Sequence, residues 1–409
     1  MIVERLFGSR PRADISTSRE FERLLLSAFG GESSTGISVN SESAMRAAAV
    51  FACVMVLSQS VGQLPCHLYY ESEDGRTKIK AKKHRLYSLL ADQPNEWMTS
   101  YDFWAMVMVH LCLRGNFYAF KVAVRNDVRE LIPIHPDAVL KVEQDERYRL
   151  AYTVRRQSGK TDTIPGSHIM HLRGMMTNGL MGLNPIQYMR ESIALALATE
   201  KHGAKLFANG ARIGGILRHP ARLSDEAYKR IIESFNAAYS GIENAHKTAL
   251  IEEGMEFEKI GMTAEDSQFL ESRKFQRSEI AGIFRVPPHM IADLEKATFS
   301  NIEHQDLGFV KHTLSPWLVN IEKAIKRDLL TPEEKRSMFA KFNVDALLRG
   351  DFKTRMEGHA KGIQWGLISP NEGREKEDMN PREGGDEYLR PLNMITGDED
   401  RTGGSKNES

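Results

Sequence analysis

The chain has 409 residues, 41% hydrophobic and 27% charged, the proportions of a soluble protein large enough for two or more domains. Lys plus Arg equals Asp plus Glu at 55 each, so the net charge is zero. This argues against a tight nucleic-acid binder driven by excess cation, but not against a surface that DNA slides past. Cys53, Cys66 and Cys112 are too few for a disulfide framework and sit among apolar neighbours, as buried thiols of a reducing compartment do. No run reaches the ~18 apolar residues of a membrane span. The N-terminus, with Glu4, Arg5, Arg10 and Arg12, lacks the apolar centre of a signal peptide. A cytoplasmic, non-secreted protein is expected.

Residues 1–40 have mixed charge and a glycine-serine stretch at 30–36, and read as a loosely attached arm. Ser41 is expected to cap a helix through Ser60, with Ala48, Ala49, Cys53, Val54 and Leu57 as its packing surface and Gly62 and Pro65 closing it. From Cys66 to Arg173 the period changes. Cys66–Tyr70 reads as a strand turning at Glu73-Asp74-Gly75-Arg76. His84–Leu90 and Ser100–Leu113 read as helices, the second capped by Ser100. Phe117–Ala123, Ala138–Val142, Tyr152–Arg155 and Ile169–Leu172 read as strands. This is a mixed helix-and-sheet domain.

Gly174–Gly182 is a glycine- and methionine-rich linker. Asn184 caps the next helix with Pro185 at its first position, where a missing donor costs nothing, and the helix is expected to run to about Ala208. Residues 211–262 form an insert: a strand at Ile213–Leu217, a helix at Ser224–Tyr239, and a hairpin of Thr248–Glu252 with Glu256–Ile260. Thr263 then caps a helix carrying Phe269, Phe275, Ile280, Ile283 and Phe284, stopped by Pro287 and Pro288. After the polar loop 292–300, Asn301–Leu330 spaces Leu307, Val310, Leu314, Trp317, Leu318, Ile321 and Ile325 mostly three and four apart. Pro316 is expected to kink this helix. Met338–Val344 reads as a strand, Asp351–Trp365 as a helix, and the polar end after Thr396 as disordered.

Chemistry is sparse. There is no G-x-x-x-x-G-K-[ST] loop, H-E-x-x-H, G-x-S-x-G or C-x-x-C. His304 and His312 lie about two turns apart, too far to share an ion without outside ligands. No cofactor, catalytic residue or metal ligand is assigned. The loop Asp293-Leu294-Glu295-Lys296-Ala297-Thr298 reads on composition alone as a solvated connector.

Several motifs together give more. Gly62-Gln63-Leu64-Pro65, Gly182-Leu183-Asn184-Pro185, Arg285-Val286-Pro287-Pro288-His289-Met290-Ile291, Ser300-Asn301-Ile302-Glu303 and Pro316-Trp317 occur in this order over roughly residues 39–391. In order and spacing they resemble the portal proteins of tailed bacteriophages. The resemblance implies an α+β portal fold: a mixed wing domain, a two-helix stem, a small α/β clip insert, a kinked tunnel helix and a short helical crown. Carried onto this chain, it gives an arm at 1–40, wing at 41–183, stem helices at 184–210 and 263–290, clip at 211–262 and tunnel loop at 291–300. A kinked helix returning to the wing follows at 301–350, then the crown at 351–391 and a tail at 392–409.

The resemblance further implies a ring of twelve copies at one vertex of the virion, assembled in the host cytoplasm. Implied partners are the large terminase, a head-tail adaptor, the major capsid and scaffold proteins, and double-stranded DNA contacted without regard to sequence; no membrane is involved. It makes residues 293–298 the candidates for the DNA channel, with Lys201, Lys205, Lys274 and Arg277 on the stem. On the second stem helix, Glu265, Asp266, Glu271 and Glu279 balance Arg273, Lys274, Arg277 and Arg285, which suits a wall that a moving polymer must not stick to. The rival reading is a cytoplasmic α/β enzyme with a site drawn from Cys112, His110 and His171. A third is a peripheral scaffold with no DNA in its path.

Overall fold

Asn40, not Ser41, opens the first helix. Its side chain accepts from the backbone N–H of Glu42 and Ser43, and the Ser43 hydroxyl accepts from the Asn40 N–H. The Ser41 hydroxyl instead donates to the Leu113 carbonyl. The expected single helix is therefore two, α1 (Ser41–Ala44) and α2 (Ala48–Gly62). The computed structural model describes residues 33–125, 127–208, 216–218, 224–239, 256–258, 264–294, 299–344, 347, 352–377 and 379–389. The chain divides into two compact units, Met1–Asn343 and Val344–Ser409.

In the first unit β1 (Cys66–Glu71) and β2 (Lys78–Lys80) form the expected hairpin. After α3 (Arg85–Ala91), α4 (Ser100–Arg114) is capped by Thr99, which forms a capping box with Asp102; the Ser100 hydroxyl donates to the Ala91 carbonyl. Six strands follow: β3 (Asn116–Val124), β4 (Asp127–Ile134), β5 (Val139–Gln144), β6 (Leu150–Arg155), β7 (Thr161–Pro165) and β8 (Ile169–Arg173). They form two antiparallel sheets, ordered β4-β3-β8 and β5-β6-β7. The sequence reading missed β4 and β7. Both are edge strands with charged, polar or proline residues where alternation would be read, and Pro133 is tolerated because it lies on an edge.

The linker after β8 leads to α5 (Pro185–Tyr188) and α6 (Arg190–Ala208), one expected helix interrupted at Met189, where the backbone leaves helical values. Asn184 caps it and Pro185 stands at its start, as expected. β9 (Ile216–Arg218), α7 (Asp225–Tyr239) and β10 (Glu256–Glu258) are the described parts of the insert. β10 pairs antiparallel with β9, the strand before the intervening helix; residues 248–252, the other arm of the expected hairpin, lie outside the described residues, as does Thr263.

α8 (Ala264–Phe284) follows, then α9 (Phe299–Gly308), a π-helical stretch Phe309–Leu314, and α10 (Ser315–Asp328). The irregularity expected at Pro316 falls just before it: the Ser315 N–H donates to the Val310 carbonyl, five residues back. Pro316 has no N–H to continue the ladder, so the re-registering turn ends where it begins. α11 (Glu334–Ser337) and β11 (Met338–Phe342) return the chain to β1, Cys66 opposite Phe342, making the sheet β11-β1-β2.

The core holds Phe103, Trp104, Leu111 and Phe117, with edge-on ring contacts between Phe103 and Trp104, Phe103 and Phe117, and Trp104 and Phe342. A second cluster, Tyr118, Val142, Tyr152 and Ile169, joins the sheets β4-β3-β8 and β5-β6-β7. In the second unit, Ser369 caps α13 (Pro370–Glu375) with Glu372, and Arg355 and His359 of α12 (Phe352–Gln364) both reach Glu377. No helix among the described residues is long and apolar enough to cross a membrane.

Candidate functional site

The structure gathers its most irregular backbone where α8 ends. Pro287 and Pro288 remove two donors, and Arg285 takes a left-handed conformation at φ 56°, rare for a residue with a side chain. Its carbonyl is not stranded: the Thr313 hydroxyl, in the π-helical stretch, donates to it at 2.7 Å. The Val286 N–H donates back to Ala281. A 3₁₀ turn, Pro288–Ile291, follows, and Ala292 is again left-handed at φ 61°. The Asp293 N–H donates to the Pro288 carbonyl at 3.0 Å.

His289 then spans the base of the loop. Its Nε2 lies 2.8 Å from an Asp306 carboxylate oxygen and its Nδ1 2.8 Å from the Gln305 side chain. The turn entering the loop and the helix leaving it are thereby held together, 16 and 17 residues apart in sequence. Of the channel candidates, Asp293 is half-buried, with a carboxylate oxygen 3.5 Å from the Ser278 hydroxyl, and Leu294 is exposed. Glu295, Lys296, Ala297 and Thr298 lie outside the described residues.

The four stem candidates fall on two neighbouring helices. Lys201 and Lys205 lie on α6, Lys274 and Arg277 on α8, and all four are exposed. The helices pack together, and the Ser192 hydroxyl donates to Glu279 at 3.1 Å. Glu279 thus joins two helices, whereas Glu271 is exposed.

The far end of α10 is fastened to β8 and β3. Asn320 donates to the Arg173 carbonyl and Arg327 to the His171 carbonyl. Asp328 accepts from the His171 N–H, and Lys121 donates to the Asp328 carbonyl. Glu322, half-buried, accepts from the Phe342 N–H, and burial raises its pKa. The His171 ring is enclosed by Tyr152 and Asn116. Asn116 directs its amide nitrogen at the Gly182 and Arg114 carbonyls, so its oxygen is the acceptor; it takes the Gly182 N–H at 2.7 Å and the His171 Nε2–H at 3.0 Å. That leaves His171 Nδ1 to accept from the Tyr152 hydroxyl. Burial holds the ring neutral, well below the ordinary histidine pKa.

The residues of the rival enzyme reading do not assemble a reactive pair. Cys112 is buried and burial pushes its thiol up to about 12; no hydrogen bond joins it to either histidine among the described residues. His110 is buried beside Phe117 and His135, and burial lowers it to about 4. Among the described residues no group of three or more His, Cys, Asp or Glu is placed to hold a metal ion.

The sequence reading missed the two left-handed residues and the His289 clamp. Left-handed backbone at arginine or alanine leaves no compositional trace, and a contact that closes across a loop has no fixed spacing.

The model of the family described as phage portal protein matches residues 48–378. A probable portal protein of Streptomyces phage phiC31 is 35% identical over 404 residues, 95% of this chain and 87% of that protein. The portal protein of Enterobacteria phage HK97 is 32% identical over 362 residues, 88% of this chain and 84% of that protein. Among solved structures, a chain from the virion of a native gene transfer agent particle has TM-score 0.58 at 22% identity, covering 88% of this chain and 99% of its own. A chain from the neck of that particle, computed with C12 symmetry, has TM-score 0.55 at 20% identity over the same shares. These two structures are alike in fold.

Proposed function

This chain belongs to the phage portal protein family, and on that premise we propose that it forms a ring at one vertex of a phage capsid, through which double-stranded DNA enters and leaves. The observation that carries this is the family match from residue 48 to 378, across nearly all of the described chain. The family is structural and not catalytic. The enzyme reading finds no support in the surroundings of Cys112, His110 and His171.

In this reading residues 41–183 are the wing, 184–210 and 263–290 the stem, 211–262 the clip, 301–350 the helix returning to the wing, and 351–391 the crown. Residues 293–298 face the DNA, and Lys201, Lys205, Lys274 and Arg277 line the stem. Terminase and the head-tail adaptor dock on the clip, and the capsid and scaffold proteins on the outer parts of the ring, which assembles in the host cytoplasm. What supports a role for this loop is how its flanks are held: His289 ties the turn that enters it to the helix that leaves it, and the following helix is bolted to the wing sheets. A ring needs two different patches on each copy, since its contacts run head to tail.

Native mass of the purified protein, with negative-stain images of the same sample, tests this. Rings with a central hole are expected. A protein that stays a single chain at high concentration and with scaffold protein present would overturn the reading.

A further inference from the structure

The sheet β11-β1-β2 buries Leu68, Ala340 and Phe342 on one face and collects positive charge on the other. In register, Lys78 stands opposite Glu71, Lys80 and Phe339 opposite Tyr69, and Lys341 opposite His67, so these residues share that second face. Together with α10 it forms a cleft of about 490 Å³, lined by Lys78, Lys323, Lys326 and Lys341 around the Tyr69 and Phe339 rings. The two rings stack at 5.5 Å, and the Lys78 ammonium lies 5.5 Å from the Phe339 ring centre. Two glutamates also line the cleft, and both are engaged: Glu71 pairs with Lys78 at 3.7 Å, and Glu322 accepts from the Phe342 N–H. Among the described residues, no hydrogen bond or salt bridge engages the ammonium of Lys323, Lys326 or Lys341. Lysines on a sheet edge keep other strands away, which accounts for Lys78 and Lys80 on β2. It does not account for Lys323 and Lys326, which stand on a helix.

We propose that this cleft binds an acidic peptide segment of a partner protein, with carboxylates on the lysines and an apolar side chain against the Tyr69 and Phe339 rings. The charges set the sign of the occupant, since lysines outnumber glutamates and the glutamates are already engaged. The lining narrows its class. Among the described residues no arginine lines the cleft, so it lacks the planar fork that takes a phosphate at two points; a lysine is a point charge that takes a carboxylate from any angle. The paired rings give an apolar side chain a place beside the charges, which a polymer charged along its whole outside does not use. The volume suits a few side chains, whereas a duplex carries its phosphates on a convex rod too wide to enter. The cleft lies within one chain, so this holds whether or not copies form a ring.

The probe is a fluorescein-labelled peptide of repeated Glu-Asp-Phe, its binding to the full chain followed by fluorescence anisotropy. A variant carrying Lys323→Glu and Lys341→Glu is compared with wild type and with a control carrying Arg147→Glu and Lys160→Glu, which changes the net charge equally at exposed positions outside the cleft. Wild type and control are expected to bind alike, and the cleft variant about tenfold more weakly, or worse. Lys323 and Lys341 are exposed, so the circular-dichroism melting of the cleft variant is expected to match wild type. A second measurement needs no substitution: lysine acetylation of the wild-type chain, read by mass spectrometry. Lys323, Lys326 and Lys341 are expected to react more slowly with the peptide bound, and Lys160 at an unchanged rate. No binding of the peptide to wild type, equal binding by the cleft and control variants, or unchanged acetylation in the cleft would overturn the proposal. Inorganic phosphate or a short DNA duplex that displaces the probe more effectively than the unlabelled peptide would overturn it too, since the cleft would then be a phosphate site.

Discussion

Gly115 and Gly182 show what a single missing side chain does here. Gly115 ends α4 at φ 69°, and a Cβ there would stand 1.8 Å from the Leu183 carbonyl oxygen; one on Gly182 would stand 2.0 Å from the Gly115 oxygen. Gly75 has the same φ of 69° with nothing within 4 Å. Gly75→Ala is therefore expected to cost only the left-handed penalty, about 1 kcal/mol. Gly115→Ala must also move the backbone that leads into α5, and is expected to lose about 3 kcal/mol or more. Urea midpoints of the two variants check this; equal losses would mean the close approach is not made. His110 supplies a pH dependence. Folding lowers it from 6.5 to about 4, chiefly by burial. The unfolded chain takes the proton first as pH falls, so stability present above pH 6.5 is lost between 6.5 and about 4. At about 1.4 kcal/mol per unit the loss is on the order of 3 kcal/mol. His110→Leu is expected to flatten that part of the curve, while His171, also lowered by burial, keeps its own contribution. An unchanged acid slope in His110→Leu would contradict the assignment.

At the scale of elements, the long helices were legible: α6, α8, α10 and α12 lie within the spans read from the sequence, although α8 leaves Phe275 and Ile283 exposed and the span 301–330 is broken by the π-helical stretch, and Asn184-Pro185 marks its helix start correctly. The caps at Ser41 and Ser100 went astray for one reason. In each case two candidates stand side by side, and the serine hydroxyl is drawn to a carbonyl of another element, Leu113 or Ala91, leaving the cap to Asn40 or Thr99. β4 and β7 hid because edge strands need no apolar alternation. Of the candidate site, the proline break was readable, but its fastening was not, since Thr313 and His289 act across long stretches of chain. The clamp makes a prediction. His289→Ala should raise amide hydrogen exchange over residues 289–294 and 299–306 while lowering overall stability by no more than about 1 kcal/mol, because Gln305 and Asp306 are exposed. Exchange that stays at its wild-type rate would show that the loop ends are held by something else.

Across the whole molecule, a net charge of zero sets the terms on which DNA can be handled. A conduit gains from contacts that are weak and alike, since each fixed phosphate contact must be broken as the duplex moves. Glu271 and Glu279 are both candidates for keeping the stem wall balanced, but Glu279 is engaged by Ser192, so changing it would disturb the packing of α6 on α8. Glu271 is exposed and is the cleaner probe. Glu271→Lys shifts the wall by two charges per copy, and the change repeats around the ring. It is expected to slow packaging at low salt, and the deficit should shrink as salt rises, because exposed charges are screened over about 10 Å at 0.1 M. Lys296→Ala with Glu295→Ala asks the same of the loop: removing one charge of each sign leaves the net charge unchanged, so a change in rate or packaged length would report contact and not field. Wild-type packaging by both variants at every salt concentration would place these residues away from the DNA while leaving the ring intact. A Glu271→Lys deficit that salt does not relieve would point to a damaged stem, and the melting curve of the ring would separate that case from friction.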